Sequence, residues 1–287
     1  MTLLEKQMRG LTADLSGTIS KLTAGELTPK NVHRLRTNIR RIESLVSYAH
    51  PDLDKKLERS LEKMADLRKR AGKVRDFDVQ VKLLDSIGNG STEKDRKTLT
   101  ALLDKKRNRQ AKRLAAGVKK VQESKFFARM HRIAERAGET PGNVNRPLAP
   151  LEEARAQLEE MAKEFPSNRT IKLGRLHEAR ISLKRIRYLA ELAEESAEQK
   201  SFIRDLKTVQ DAIGDWHDWQ ELTRTAEKRF SDRVNCALLR EARALLGARH
   251  SEATSAINKL IALPSGYTSS KKRPRSTSNS RALAQSA

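Results

Sequence analysis

At 287 residues the chain is long enough for one large domain or two medium ones, each able to bury a core. Its 59 Lys and Arg outweigh 37 Asp and Glu, giving a net charge of +22, while aromatic residues make up only 4%. Such a surplus favours a polyanionic partner, the single cysteine excludes an internal disulfide framework or multi-thiolate metal site, and no apolar run approaches the roughly 18 residues of a membrane span.

The chain begins Met1-Thr2-Leu3-Leu4-Glu5-Lys6, without a signal-peptide core, so a cytoplasmic location is expected. Helical periodicity then dominates. Thr28-Pro29 reads as a capping side chain followed by proline at the first helical position, opening a helix with the apolar stripe Ile39, Ile42, Leu45 and Val46. Residues 52–71 repeat the pattern through Leu53, Leu57, Leu61, Met64 and Leu67, and Gly72 reads as their stop. Val79 and Val81 alternate as in a strand, but Val79 and Leu83 keep helix spacing, and helix is the reading adopted. Ser91-Thr92-Glu93 starts a long basic helix carrying Leu99, Leu102, Leu103 and Leu114, and residues 124–137 form a shorter one ending at Gly138. The Pro- and Gly-containing segment 139–147 is the clearest break. Beyond it, helices are expected at about 148–164, 168–197, 200–213, 216–229 and 231–262, with Ser167 and Ser231 as N-caps. From Pro264 the chain is rich in Ser, carries Lys271, Lys272, Arg273, Arg275 and Arg281 with no acid, and is expected to stay disordered. This tail holds only +5 of the +22, so the surplus belongs mainly to the folded part.

One sentence of the sequence is written twice. His33-Arg34-Leu35-Arg36-Thr37-Asn38-Ile39-Arg40-Arg41 returns 144 residues later as His177-Glu178-Ala179-Arg180-Ile181-Ser182-Leu183-Lys184-Arg185. A second pair follows: Gly72-Lys73-Val74-Arg75-Asp76-Phe77-Asp78 and Gly214-Asp215-Trp216-His217-Asp218-Trp219, lying 39 and 37 residues after the respective histidines. Two motifs recurring in order at such spacing indicate a duplicated domain rather than a short solenoid repeat. The expected organisation is therefore a folded region 1–263, with halves at about 1–138 and 148–263 joined by the linker 139–147, and a basic tail at 264–287.

On a helix, His177, Arg180, Lys184 and Arg187 occupy a stripe roughly 80° wide, and His33, Arg36 and Arg40 repeat it with Glu43 in the fourth place. Arg41 and Arg185 sit off the stripe and flank it. A charge run is ordinarily a solvated face, and like charges four residues apart destabilise an isolated helix by a few tenths of a kcal/mol. The second copy is what turns the balance toward a binding ridge. Arginine forks suit phosphate oxygens, lysine adds point charge, and histidine donates a hydrogen bond or a charge according to pH.

Taken together these residues resemble the CHAD domain, the α-helical domain named for its histidines. The likeness rests on His-x-x-Arg-x-x-x-Lys/Arg-Arg once per half (His33/Arg36/Arg40/Arg41 and His177/Arg180/Lys184/Arg185), on the stretch 72–78 and on its counterpart at 214–218. It spans about residues 1–262. It implies an all-α fold of two pseudo-symmetric four-helix bundles with a basic central cavity, and inorganic polyphosphate as ligand, often at polyphosphate granules. Two departures, Glu43 opposite Arg187 and His217 opposite Arg75, make the halves unequal.

The candidate binding set is His33, Arg36, Arg40, Arg75, Arg109, Lys112, His177, Arg180, Lys184, Arg187, Lys207 and His217, with Arg109 and Lys112 drawn from the basic helix at 93–122. Asp76 and Asp78 read as helix caps that orient a ridge arginine. Trp216, Trp219 and Cys236 read as core, and His50, His131 and His250 as incidental. The expected activity is non-catalytic binding of polyphosphate, without cofactor or metal and without membrane attachment. Other granule proteins are a compatible partner class. The alternative is a basic helical protein that binds nucleic acid, whether through the core or through the tail, against which stand the few aromatics and the absence of a helix-turn-helix or RNP-like signature. Phosphoryl-transfer chemistry would need metal-holding carboxylates or a Walker-type loop, and neither these nor the Glu-x-Glu-x-Lys of tunnel triphosphatases is found.

Overall fold

The computed structural model describes residues 3–49, 55–88, 92–122, 126–139, 149–165, 171, 173–230 and 235–262. The expected linker (apart from Glu139), the basic tail, Ser167, Ser231 and His50 lie outside them. All regular structure among the described residues is helical: α1 (Leu3–Thr23), α2 (Pro29–Ala49), α3 (Lys55–Asp85), α4 (Glu93–Gln122), α5 (Phe126–Glu139), α6 (Pro150–Lys163), α7 (Leu173–Ala190), α8 (Ala197–Arg229) and α9 (Ala237–Ile261).

The N-terminal helices pack in chain order, α1 on α2, α2 on α3 and α3 on α4, with α1 also against α4 and α5. The C-terminal four do the same, α6 on α7, α7 on α8 and α8 on α9. The groups meet where α2 touches α7 and α3 touches α8, the four helices that carry the repeated motifs. An apolar core runs from Met8 and Ile39 through Leu183 and Trp216 to Ile257 and so joins the two groups. A smaller core of Leu84, Leu103, Trp219, Leu222 and Leu239 ties the far ends of α3, α4, α8 and α9.

Local chemistry explains most boundaries. Thr28 caps α2, its Oγ1 accepting from the Asn31 amide at 3.2 Å ahead of Pro29. Ser196 caps α8, its Oγ accepting from Gln199 N at 3.0 Å. Trp216, Trp219 and Cys236 are buried, as expected.

Several expected boundaries are corrected, among them the helix starts at 168 and 231, which the structure has at Leu173 and Ala237. Gly72 does not end a helix: α3 passes straight through it. Gly214 likewise lies inside α8, so the segments 200–213 and 216–229 are one helix of 33 residues. An interior glycine costs about 1 kcal/mol relative to alanine, which the apolar stripe Phe202, Leu206, Val209, Ile213 and Trp216 outweighs by burying one continuous face. The helix expected to run to 197 stops at Ala190, where a turn leads into the Ser196 cap. Finally, α1 is a helix that the reading above did not include. Its buried Met8, Leu15, Ile19 and Leu22 recur every three to seven residues, a helical pattern present in the sequence.

Candidate functional site at the four-helix junction

The geometry of α2 and α7 begins with their apolar stripes. In α2, Val32, Leu35, Ile39, Ile42 and Val46 are buried, and in α7 Leu176, Ala179, Leu183, Ile186 and Ala190. On the helical wheel each ridge borders this stripe directly, so packing the stripe draws the cations to the edge of the core. Their long aliphatic stems bury while the charged heads converge. Arg36, Arg40, Arg180, Lys184 and Arg187 are accordingly half-buried.

The two ridges act on each other. Arg36 and Arg180 repel one another, as do Arg40 and Lys184, while Asp76 and Asp218 attract both Arg36 and Arg180. Burial, reinforced by Arg180, Arg40 and Arg36 and opposed by Asp218, lowers the Lys184 ammonium to about 7. Burial likewise lowers Arg36, Arg40 and Arg180, although guanidinium remains charged at any ordinary pH. His33 is lowered by burial and by Arg75, Arg36 and Arg187, which brings Arg75 of α3 and Arg187 of α7 to the same place. Arg180 Nε is buried without a hydrogen-bond partner among the described residues.

Carboxylates line the cluster without cancelling it. Asp76 Oδ1 lies 4.0 Å from Arg36 Nη1, and its side chain keeps 52% of its surface open. Burial nevertheless raises its pKa, with Asp218 adding to the rise and Arg36, His217 and Arg180 opposing it. Asp218 Oδ1 meets His217 Nδ1 at 3.2 Å, and the His217 ring stacks on His177 at 6.1 Å. Glu43 holds Arg68 at 2.9 Å. Glu191 receives Arg41 at 2.9 Å and Arg187 at 3.5 Å, the Arg187 guanidinium lying 4.8 Å over the Tyr188 ring.

The structure thus brings together His33, Arg36, Arg40, Arg75, Arg180, Lys184 and Arg187, with His217 beside His177. Arg109 and Lys112 are exposed on α4 and Lys207 is exposed on α8, and none is among the groups that act on the ridge residues. The two motif aspartates part company. Neither caps a helix, because residues 72–78 lie inside α3. Asp76 faces Arg36, whereas Asp78 is held by Arg107 of α4 at 2.8 Å, and that arginine also donates to the Leu27 carbonyl at 2.9 Å. Arg107 therefore ties α4 to α3 and to the turn before α2. Sequence reasoning missed Arg68 and Glu191 as neighbours of the ridges. Arg68 was findable, lying seven residues before Arg75 on the same face of α3.

Among the described residues no cluster of His, Cys, Asp and Glu suits a metal ion, and no helix is long and apolar enough to cross a membrane.

An all-helical protein in which a repeated ridge gathers cations at a four-helix junction is a class defined by fold and charge together. The family model of the CHAD domain matches residues 4–227, and the chain belongs to that family. Solved structures share the fold. The crystal structure of the CHAD domain from the plant Ricinus communis aligns with a TM-score of 0.65 at 18% identity, covering 91% of each chain. PptA from Streptomyces chartreusis aligns with a TM-score of 0.59 at 15% identity, covering 90% of this chain and 97% of its own. No curated protein matches the sequence.

Proposed function

We propose that this protein binds inorganic polyphosphate, without catalysing its cleavage, in a basic cavity where α2, α3, α7 and α8 meet, and that it does so at polyphosphate granules. The CHAD family is associated with polyphosphate binding. The observation that carries the reading is the convergence of the two ridges on half-buried Lys184, which has Arg180, Arg40 and Arg36 as neighbours with Asp218 opposing them; burial first, and these arginines after it, push the ammonium down to about 7. Cations held this close in half-buried surroundings store repulsion, and a linear polyanion relieves it at every contact. Arg36, Arg40, Arg180, Lys184 and Arg187 would contact phosphate oxygens. Arg180 brings a buried Nε donor that has no partner within the protein's described residues. Asp76 and Asp218 would hold the arginine heads apart and extended.

The test is titration with polyphosphate of defined lengths at several salt concentrations. Counterion release predicts that log affinity falls linearly with log salt, more steeply for longer chains until the site is filled. Affinity indifferent to salt, or no preference for long chains over orthophosphate, defeats the proposal. Displacement by duplex DNA at equal phosphate concentration would favour nucleic acid as the ligand, and phosphate release with added Mg²⁺ would make the protein an enzyme.

A further inference from the structure

Gly72 and Gly214 occupy the same place in the two repeats, each inside a long helix. On the wheel, Gly72 lies between the directions of Arg75 and Asp76, one turn before them, and Gly214 lies likewise between His217 and Asp218. Both therefore stand on the faces that α3 and α8 turn to the junction. Along α3 the glycine is a gap in a charged row that reads Arg68, Gly72, Arg75, Asp76.

Neither glycine is required by the protein's own packing. A Cβ built on Gly72 or on Gly214 meets no atom within 4 Å, in contrast to Gly117, where Leu67 and Arg70 already stand at 3.0 and 3.3 Å. Nor is either in a left-handed conformation, which among the described glycines is found at Gly25. Open space alone marks nothing, because Gly10, Gly17, Gly174 and Gly247 share it. What sets the pair apart is recurrence one turn before the site residues of both halves.

Resting on the reading of the junction as a polyphosphate site, we infer that Gly72 and Gly214 are positioning residues: bare backbone on the floor of the site, over which the phosphate chain passes at a depth no side chain would allow. Backbone amides inside a helix are already bonded, so the glycines donate nothing. Their contribution is depth. A chain seated against the α3 and α8 backbones lies level with the stems of Arg75 and His217 and beneath the converging heads of Arg36 and Arg180. One methyl at either position lifts the chain and lengthens those contacts.

The inference makes stability and affinity move in opposite directions. Gly72→Ala and Gly214→Ala should each raise the melting temperature, by about 2–4 °C for a domain of this size. Each should also weaken long-chain polyphosphate binding by about tenfold, the loss of one charge-assisted contact, and Gly72→Leu should weaken it further. Gly247→Ala is the control, raising the melting temperature with unchanged affinity. Alanine variants that gain stability and bind as the wild type does would overturn the inference, as would variants that lose stability, since the space would then not be vacant. A wild-type chain that binds no polyphosphate defeats the underlying reading itself, an outcome distinct from wild-type binding that survives both substitutions.

Discussion

The ridges on α2 and α7 share a pattern but not an electrostatic setting. On α2 the fourth position is Glu43, and its carboxylate is engaged by Arg68. Arg36, in the middle, faces Asp76. On α7 the fourth position is Arg187, and Lys184 is surrounded mainly by arginines. The α2 ridge thus carries a carboxylate of its own in the fourth place, whereas the α7 ridge carries a fourth cation there, its counter-charges Asp218 and Glu191 coming from α8 and from the turn after α7. The two motif copies keep the same spacing, and Arg187 in place of Glu43 makes the α7 ridge the more cationic of the two.

The sharpest way to break that comparison is to strip each ridge in turn. Arg180→Ala with Lys184→Ala should weaken polyphosphate binding by about a hundredfold at low salt, from roughly 1.5 kcal/mol for each charge-assisted hydrogen bond lost. Arg36→Ala with Arg40→Ala should cost less, because Arg36 and Arg40 already share their charge with Asp76 and Glu43. Lys271→Ala with Lys272→Ala in the tail should matter least. Titration calorimetry ranks the three, and a tail effect larger than the α7 effect would refute the junction as the site.

A smaller effect sharpens the comparison through pH. A bound polyanion favours protonated Lys184, so binding takes up a proton and affinity should rise as pH falls toward about 7 and level off below it. His33, held below its ordinary value, adds a later rise on the acid side. Lys184→Arg, which stays charged, should remove the step near pH 7 and leave the acid rise. A step that persists in this variant assigns it elsewhere.

The same lysine sets a trend in the free protein. Its folded pKa lies below the unfolded value of 10.5, so its protonated form is disfavoured by folding. Its contribution to stability therefore declines as pH falls from about 10.5 to about 7 and is constant below. Lys184→Met should flatten that decline in denaturant melts across this range, and an unchanged slope would contradict the assignment.

The smallest expected effect on binding is at Asp78, which lies two residues from Asp76 in sequence but pairs with Arg107 to hold α4 to α3. Asp78→Asn should lower stability by about 2 kcal/mol, as for loss of a charged hydrogen bond, and leave polyphosphate affinity within about twofold. A large affinity loss with an unchanged melting curve would move Asp78 into the site.

How far the sequence could be read depended on whether the signal was periodic or spatial. The duplicated ridge, the Thr28-Pro29 start and the apolar stripes were legible because a helix converts spacing into a face. The stops at Gly72 and near Gly214 were misread because glycine is only a modest penalty, and burial of a continuous apolar face overrides it. The α1 stripe was there to be read, yet no cap or proline drew attention to it.

Apolar periodicity and capping signals established a helical chain, the repeated charges marked two matching cationic rows, and a resemblance to the family followed from those residues. Only the tertiary structure decided that the rows face each other, that Asp76 attends Arg36 while Asp78 serves Arg107, and that Lys184 sits among arginines. The reason is physical: periodicity records which side of a helix a residue occupies, whereas the strength of a charge depends on burial and on neighbours brought from about 150 residues away, as in the Arg41–Glu191 pair.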